Sequence, residues 1–152
     1  MNVKTTILLL TALLLTACGV GRKPVVGEAE ALPFDKGQVW QLVSLRGKSL
    51  PAHTAVITLV LNDETGTLQG KATCNRYFAD FTRQLVKVDA EGTYYDLTVS
   101  YFGKDKVSCP EADMNSEERY FALLSKADAC LLTPYTLTLF RGGKEILKYE
   151  LQ

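Results

Sequence analysis

From Thr93 to Tyr101 the chain reads TYYDLTVSY, with Tyr95, Leu97, Val99 and Tyr101 at every second place. A period of two sends these four side chains to one face of an extended strand and the residues between them to the other. The same grammar recurs on both sides. Val39 to Leu45, Ala55 to Asn62, Leu68 to Thr73, Phe78 to Val88, Leu131 with Leu132, Thr136 to Phe140 and Glu145 to Leu151 are short apolar or alternating runs. Each run stops at turn chemistry: Arg46-Gly47, the stretch Asp63 to Gly66, Ala90-Glu91-Gly92, and Gly142-Gly143, the last a strong hairpin signal. Short strands of this kind bury an apolar face only by pairing with their neighbours, so the dominant element must be an antiparallel sheet.

One segment breaks the period. Met114 to Lys126 (MNSEERYFALLSK) starts acidic and ends on lysine, which suits the two ends of a helix dipole. Asp113 is a candidate N-cap, and Ser108 with Glu111 forms a competing capping box around Pro110. Met114, Tyr120, Phe121 and Leu124 form the expected buried stripe. About eight strands and one helix predict an α+β domain, a small curved antiparallel sheet or partly open β-barrel with the helix packed at an opening.

Composition narrows the class. Of 152 residues, 47% are hydrophobic, and 17 basic side chains balance 17 acidic ones. That is too apolar for a disordered chain, and it lacks the basic excess by which nucleic-acid binders displace counterions. The balance is not uniform, however. Lys4 is the one charge in residues 1–17, and it precedes the run ILLLTALLL, Ile7 to Leu15. The run is shorter than the roughly 20 apolar residues a membrane span needs, and with its basic flank it reads as a secretory signal. Leu15-Thr16-Ala17-Cys18-Gly19 resembles the bacterial lipobox, which implies cleavage before Cys18 and acylation of that cysteine. Several acyl chains on one residue exceed the two-signal requirement for stable membrane anchoring. Gly19 stands where an aspartate would retain such a lipoprotein at the inner membrane, so the expected location is the periplasmic face of an outer membrane. Residues 18–37, with Gly19, Gly21, Pro24, Gly27, Pro33 and Gly37, show no apolar period and are read as a flexible tether. The domain is expected over 38–152.

Three cysteines remain beyond Cys18, in a compartment where disulfides persist. Cys74 ends a strand and Cys109 precedes the helix; a bridge between them stabilises by somewhat more than the ~3 kcal/mol of a 15-residue loop in the chain-entropy model. That pairing would leave Cys130 as a buried thiol, while a Cys109 to Cys130 bridge would staple both ends of the helix, and spacing does not choose between them. No paired-ligand spacing supports a metal site. His53, the one histidine, lies in a loop beside Pro51, and no GxSxG, HExxH or phosphate-binding glycine loop occurs. The chain is therefore read as a protein without enzymatic activity, cofactor or metal.

Trp40 and Leu42 in WQLVSLRGKSL, Gly70 to Phe78 (GKATCNRYF), Ser108 to Glu111 with the helix after it, and Tyr135 to Lys148 (YTLTLFRGGKEILK) together resemble the META/HslJ family of small bacterial envelope proteins. The resemblance spans Val39 to Leu151, and CNRYF is its most specific piece. It implies a disulfide between Cys74 and Cys109, a lipoprotein habit, and a part in heat or antibiotic stress, motility or secretion without catalysis. The chain departs from the family in having Ala79 and Asp80 where a glycine is usual, and Lys106-Val107-Ser108 before the second cysteine.

Asn75, Arg76 and Tyr77 are the candidate binding surface within that motif. Against this stands a structural reading, in which Asn75 serves a tight turn and Arg76 packs its stem while exposing its charge. Tyr77, Phe78, Phe81, Tyr94, Tyr95, Tyr101 and Phe102 belong mostly to the core by alternation, and any excess on the outer face would form a contact patch. The expected function is envelope support through an envelope protein partner, with the lipid on Cys18 as the membrane contact. The alternative is a carrier or pilot holding an acyl chain or peptide inside the barrel. A thiol enzyme is a third reading, which a Cys74 to Cys109 bridge would remove.

Overall fold

A computed structural model describes residues 29–35 and 37–152; residues 1–17, Cys18 and most of the expected tether lie outside the described residues. Among the described residues nine strands and one helix follow in the order β1 (Trp40–Leu45), β2 (Lys48–Ser49), β3 (Thr58–Asn62), β4 (Thr67–Lys71), β5 (Arg76–Asp89), β6 (Gly92–Lys104), α1 (Glu111–Leu124), β7 (Ala129–Leu132), β8 (Thr136–Arg141) and β9 (Lys144–Leu151). From β3 to β9 each strand pairs antiparallel with the next, and β1 pairs with β2, β3 and β9. The β1 to β9 pairing closes eight strands into a barrel and leaves β2 as an addition on β1. Closure removes the exposed edges that an open sheet of this size would carry.

Alternation fills the interior. Trp40, Leu42, Leu59, Leu61, Leu68, Ala79, Phe81, Tyr95, Leu97, Leu137, Leu139, Leu147 and Tyr149 point inward and form one continuous core. In a small barrel such side chains occupy the lumen. The helix closes one end. It begins three residues earlier than expected, directly after Pro110, whose fixed φ suits a helix start. Neither expected cap forms, and Glu111 and Asp113 lie instead in the acidic first turn.

The buried face of the helix keeps Tyr120 and Leu124 of the expected stripe but is rotated away from Met114 and Phe121. Met114 is 40% exposed and Phe121 half-buried, while Glu117, Tyr120, Leu123 and Leu124 are buried. The carboxylate enters because it has donors to meet, as described below.

At the opposite end of the barrel the packed domain reaches back beyond the expected start at residue 38. Phe34 is 3% exposed and its ring contacts those of Phe81 and Tyr95 at 6.0 and 5.7 Å. The Leu32 amide donates to Thr93 Oγ1 and its carbonyl accepts from the Tyr95 hydroxyl. Residues 32–34, assigned to the tether, therefore plug the mouth. Two prolines and glycines hide this from sequence, because the segment packs by one large side chain with no period.

β5 and β6 form a long hairpin turned at Gly92, whose φ of 144° favours glycine. Near the helix end its register slips. Asp80 pairs with Ser100 and Phe78 with Gly103, so Tyr101 and Phe102 together oppose Ala79 in a β-bulge. Tyr101 has φ 47°, a left-handed conformation uncommon for a bulky side chain. The bulge ends the alternation that began at Thr93 and turns Tyr101 outward.

Candidate functional site

The motif TCNRYF spans the corner from β4 to β5, and the chain there has backbone groups that the sheet does not pair. Glu117 enters the barrel end and supplies the missing acceptor. Its Oε2 accepts from the amides of Asn75 at 2.7 Å and Cys74 at 3.2 Å, and its Oε1 accepts from Asn75 Nδ2 at 2.8 Å and Lys104 Nζ at 3.0 Å. The Glu117 side chain is 1% exposed. Burial alone would raise its carboxyl; the hydrogen bonds from the Asn75 amides and from Lys104, with the ammonium charge, more than offset this and hold it below the usual glutamate value. Asn75 Oδ1 in turn accepts from the Val107 amide at 2.8 Å, which ties down the loop before the helix. Cys74 and Cys109 are bridged across the same corner, with Cα atoms 6.1 Å apart.

Tyr77 extends this frame inward. Its hydroxyl lies 2.8 Å from the Thr58 carbonyl and 2.6 Å from the Tyr120 hydroxyl, which lies 3.2 Å from that of Tyr149. A carbonyl can only accept, so the three protons run one way, from Tyr149 to Tyr120 to Tyr77 to Thr58. Burial, with neighbouring phenols, pushes all three tyrosines well above their ordinary value, so they stay neutral donors. Gly70 makes room: a Cβ there would lie 2.0 Å from the Thr58 carbonyl oxygen and 2.8 Å from the Tyr77 hydroxyl.

The three residues proposed together as a binding surface therefore separate. Asn75 and Tyr77 are buried parts of the frame, and only Arg76 reaches solvent. The alternating outward positions of the same hairpin carry what sequence reasoning assigned to the core. Phe78 is 51% and Tyr101 72% exposed, their rings 6.4 Å apart, and the Phe78 ring lies over Gly103, where a side chain would displace it. Phe102 is also exposed and meets Phe121 of the helix at 6.0 Å. The signal for the bulge was slight: Phe102-Gly103 follows Tyr101, and a glycine inside a strand pattern marks a bulge or close approach.

The remaining chemistry is quiet. Cys130 is buried, and burial pushes its thiol up to about 12, so it holds no thiolate at neutral pH. His53 is exposed, as expected. At the plugged end Arg83 binds Asp63 through two nitrogens, at 2.7 and 2.5 Å, and stacks over Tyr95 and Phe34 at 4.2 and 5.2 Å. Among the described residues no group of three or more His, Cys, Asp or Glu side chains converges on a metal position, and no helix is long and apolar enough to cross a membrane.

A closed barrel capped by a helix, with CN and CP cysteines bridged at the capped end, matches a family model, that of the META domain, over residues 33–152. The chain belongs to the META domain family. The match begins at Pro33, so the family segment includes the Phe34 plug. Two solved structures resemble this META domain in fold. One, described as the NMR structure of the protein from Burkholderia xenovorans, is 19% identical with a TM-score of 0.54, covering 88% of this chain and 99% of that one. The second, another NMR structure, is 20% identical with a TM-score of 0.50, covering 75% of this chain and 88% of its own. Among curated proteins none matches the chain in sequence.

Proposed function

We propose that this META-domain chain is an envelope lipoprotein that acts by holding other proteins, supporting the envelope under heat or antibiotic stress without catalysis. One observation carries the reading: a strained bulge places Tyr101 and Phe102 beside Phe78 on the surface of an otherwise filled barrel. Bulges re-aim side chains near functional surfaces, and aromatic rings are enriched at the centres of protein interfaces. Backbone strain of this kind persists where the surroundings over-determine it, and here the Glu117 frame and the disulfide brace the same corner.

Membrane attachment through Cys18 rests on the lipobox-like LTACG and the short apolar run before it. The carrier reading needs an open lumen lined by Leu, Val and Phe, and the packed interior of this barrel speaks against it. The thiol-enzyme reading lacks a reactive thiol among the described residues, since Cys74 and Cys109 are bridged and Cys130 is buried.

The test is photo-crosslinking in intact cells, with the probe at Tyr101 and, as control, at Tyr135, which is equally exposed on the β7 to β8 turn. Discrete envelope proteins captured from Tyr101 and not from Tyr135 are the expected result. Recovery of abundant porins alone, equally from both positions, overturns the proposal. Incorporation of labelled palmitate that disappears in Cys18→Ala checks the anchor separately.

A further inference from the structure

Beside the aromatic cluster the barrel breaks a rule of sheet design. Lys71 of β4 and Arg76 of β5 are directly opposite in register, so both side chains stand on the same outer face. Like charges in this arrangement repel and destabilise a strand pair. Sheets usually neutralise such a pair with a neighbouring acid. Among the described residues neither cation has an ion pair or a side-chain hydrogen bond. Asp80 lies further along β5 and Asp105 donates its amide to the Arg76 carbonyl at 3.0 Å, yet neither carboxylate pairs with either cation.

The two cations border a surface hollow of about 330 Å³ whose lining includes Thr58, Val60, Gln69, Lys71, Arg76 and Tyr77. Val60 and Gln69, opposite each other across β3 and β4, bring an apolar side chain and an amide to its lining. Two register positions away, on the same face, Gln69 is opposite Phe78, which carries the surface cluster on to Tyr101. A positive pair without a salt bridge, a surface hollow and two exposed rings thus lie side by side on one sheet face.

We infer that Lys71 and Arg76 form the anion-binding half of the protein-contact surface, and that the partner presents an acidic segment with an apolar or aromatic residue next to its carboxylate. The carboxylate sits between the two cations and the neighbouring residue packs on Phe78 and Tyr101. This names the partner's chemistry and rests on the reading of the aromatic cluster as a contact surface. The charge complementarity favours carboxylate over a neutral or basic partner, since binding removes the repulsion that the free protein carries. A planar guanidinium beside a mobile ammonium suits a carboxylate, which Arg engages through two parallel hydrogen bonds.

The test uses the full chain in a non-ionic detergent and a fluorescent synthetic peptide of alternating Glu and Phe, with a Lys and Phe peptide, inorganic phosphate and phosphatidylglycerol vesicles as comparisons. The Glu and Phe peptide is expected to bind more tightly than the Lys and Phe peptide, and to weaken about tenfold in the double variant Lys71→Gln, Arg76→Gln, the loss of roughly one charge-assisted contact. The same variant is expected to unfold at an equal or higher temperature, because a repelling pair has gone; a clear fall in melting temperature would assign the pair a structural role and overturn the proposal. Equal binding of both peptides, or binding indifferent to the double substitution, also overturns it. Vesicles that bind through Lys71 and Arg76 when the peptide does not would transfer the site to a lipid surface, and inhibition by phosphate alone would leave an anion site without a protein partner. If neighbours captured from Tyr101 in cells persist in the double variant, the contact surface stands and the acidic chemistry falls.

Discussion

Replacing Glu117 by Gln is the sharpest perturbation of the corner that presents the contact surface. The carboxylate accepts four hydrogen bonds, two at each oxygen, from the amides of Cys74 and Asn75 and from Asn75 Nδ2 and Lys104 Nζ. A glutamine has one acceptor oxygen. If that oxygen keeps the two backbone amides, its NH2 must face Asn75 Nδ2 and Lys104 Nζ, donor against donors. The lost bond from Asn75 Nδ2 is buried and charge-assisted, worth about 1.5–3 kcal/mol. Lys104 is 44% exposed, so its share is discounted to well under 1 kcal/mol by solvent screening. Adding about 1 kcal/mol for the clash of donors gives a loss of about 2.5–4 kcal/mol, a large part of the ~5–15 kcal/mol that stabilises a domain of this size.

The assay is urea or thermal unfolding followed by Trp40, the single tryptophan, which is buried at the barrel wall. A drop of about 8–15 °C in melting temperature is expected. The pH dependence separates charge from packing. Because the folded carboxyl sits below its ordinary value, its contribution is complete above about pH 4.3 and is lost as pH falls through the folded value. The wild-type chain should show that acid loss, and Glu117→Gln should lack this component. A variant melting within about 1 °C of wild type, or retaining the full acid response, would refute the assignment of Glu117 as the acceptor that holds the corner.

Other consequences follow from single positions. Gly70→Ala drives a methyl into the Thr58 carbonyl and the Tyr77 hydroxyl, and is expected to cost about 3 kcal/mol or more by the same unfolding assay, although its backbone φ would admit alanine. Reduction of the Cys74 to Cys109 bridge, or paired substitution by serine, should lower stability by about 3–4 kcal/mol in the chain-entropy model, read as a shift in urea midpoint. Phe34→Ala should cost about 3 kcal/mol and raise hydrogen exchange at Tyr95 and Thr93; an unchanged exchange pattern would show that the segment before residue 38 does not seal the barrel.

Much of the architecture follows from local pattern. Strand alternation, turn residues and the acidic start of one helix determined an α+β domain with a curved antiparallel sheet, and the residues of WQL, CNRYF and the last hairpin determined the family, because these depend on spacing along the chain. The tertiary structure decided matters that depend on what a side chain meets from elsewhere. Glu117 is a charged residue set among the apolar positions of the helix, and only the unpaired amides of Cys74 and Asn75, more than forty positions away, explain why its carboxylate is buried. Tyr101 continues a perfect alternation until one slipped register turns it outward, and Phe34 reads as part of a tether until Phe81 and Tyr95 offer it a pocket. Asn75 and Tyr77 belong to the most specific motif in the chain and serve the frame, while the exposed contacts fall to Arg76 and Phe78 between and beside them, since a strand sends successive side chains to opposite faces. Sequence period determines which residues share a face; only long-range pairing decides which face becomes the core.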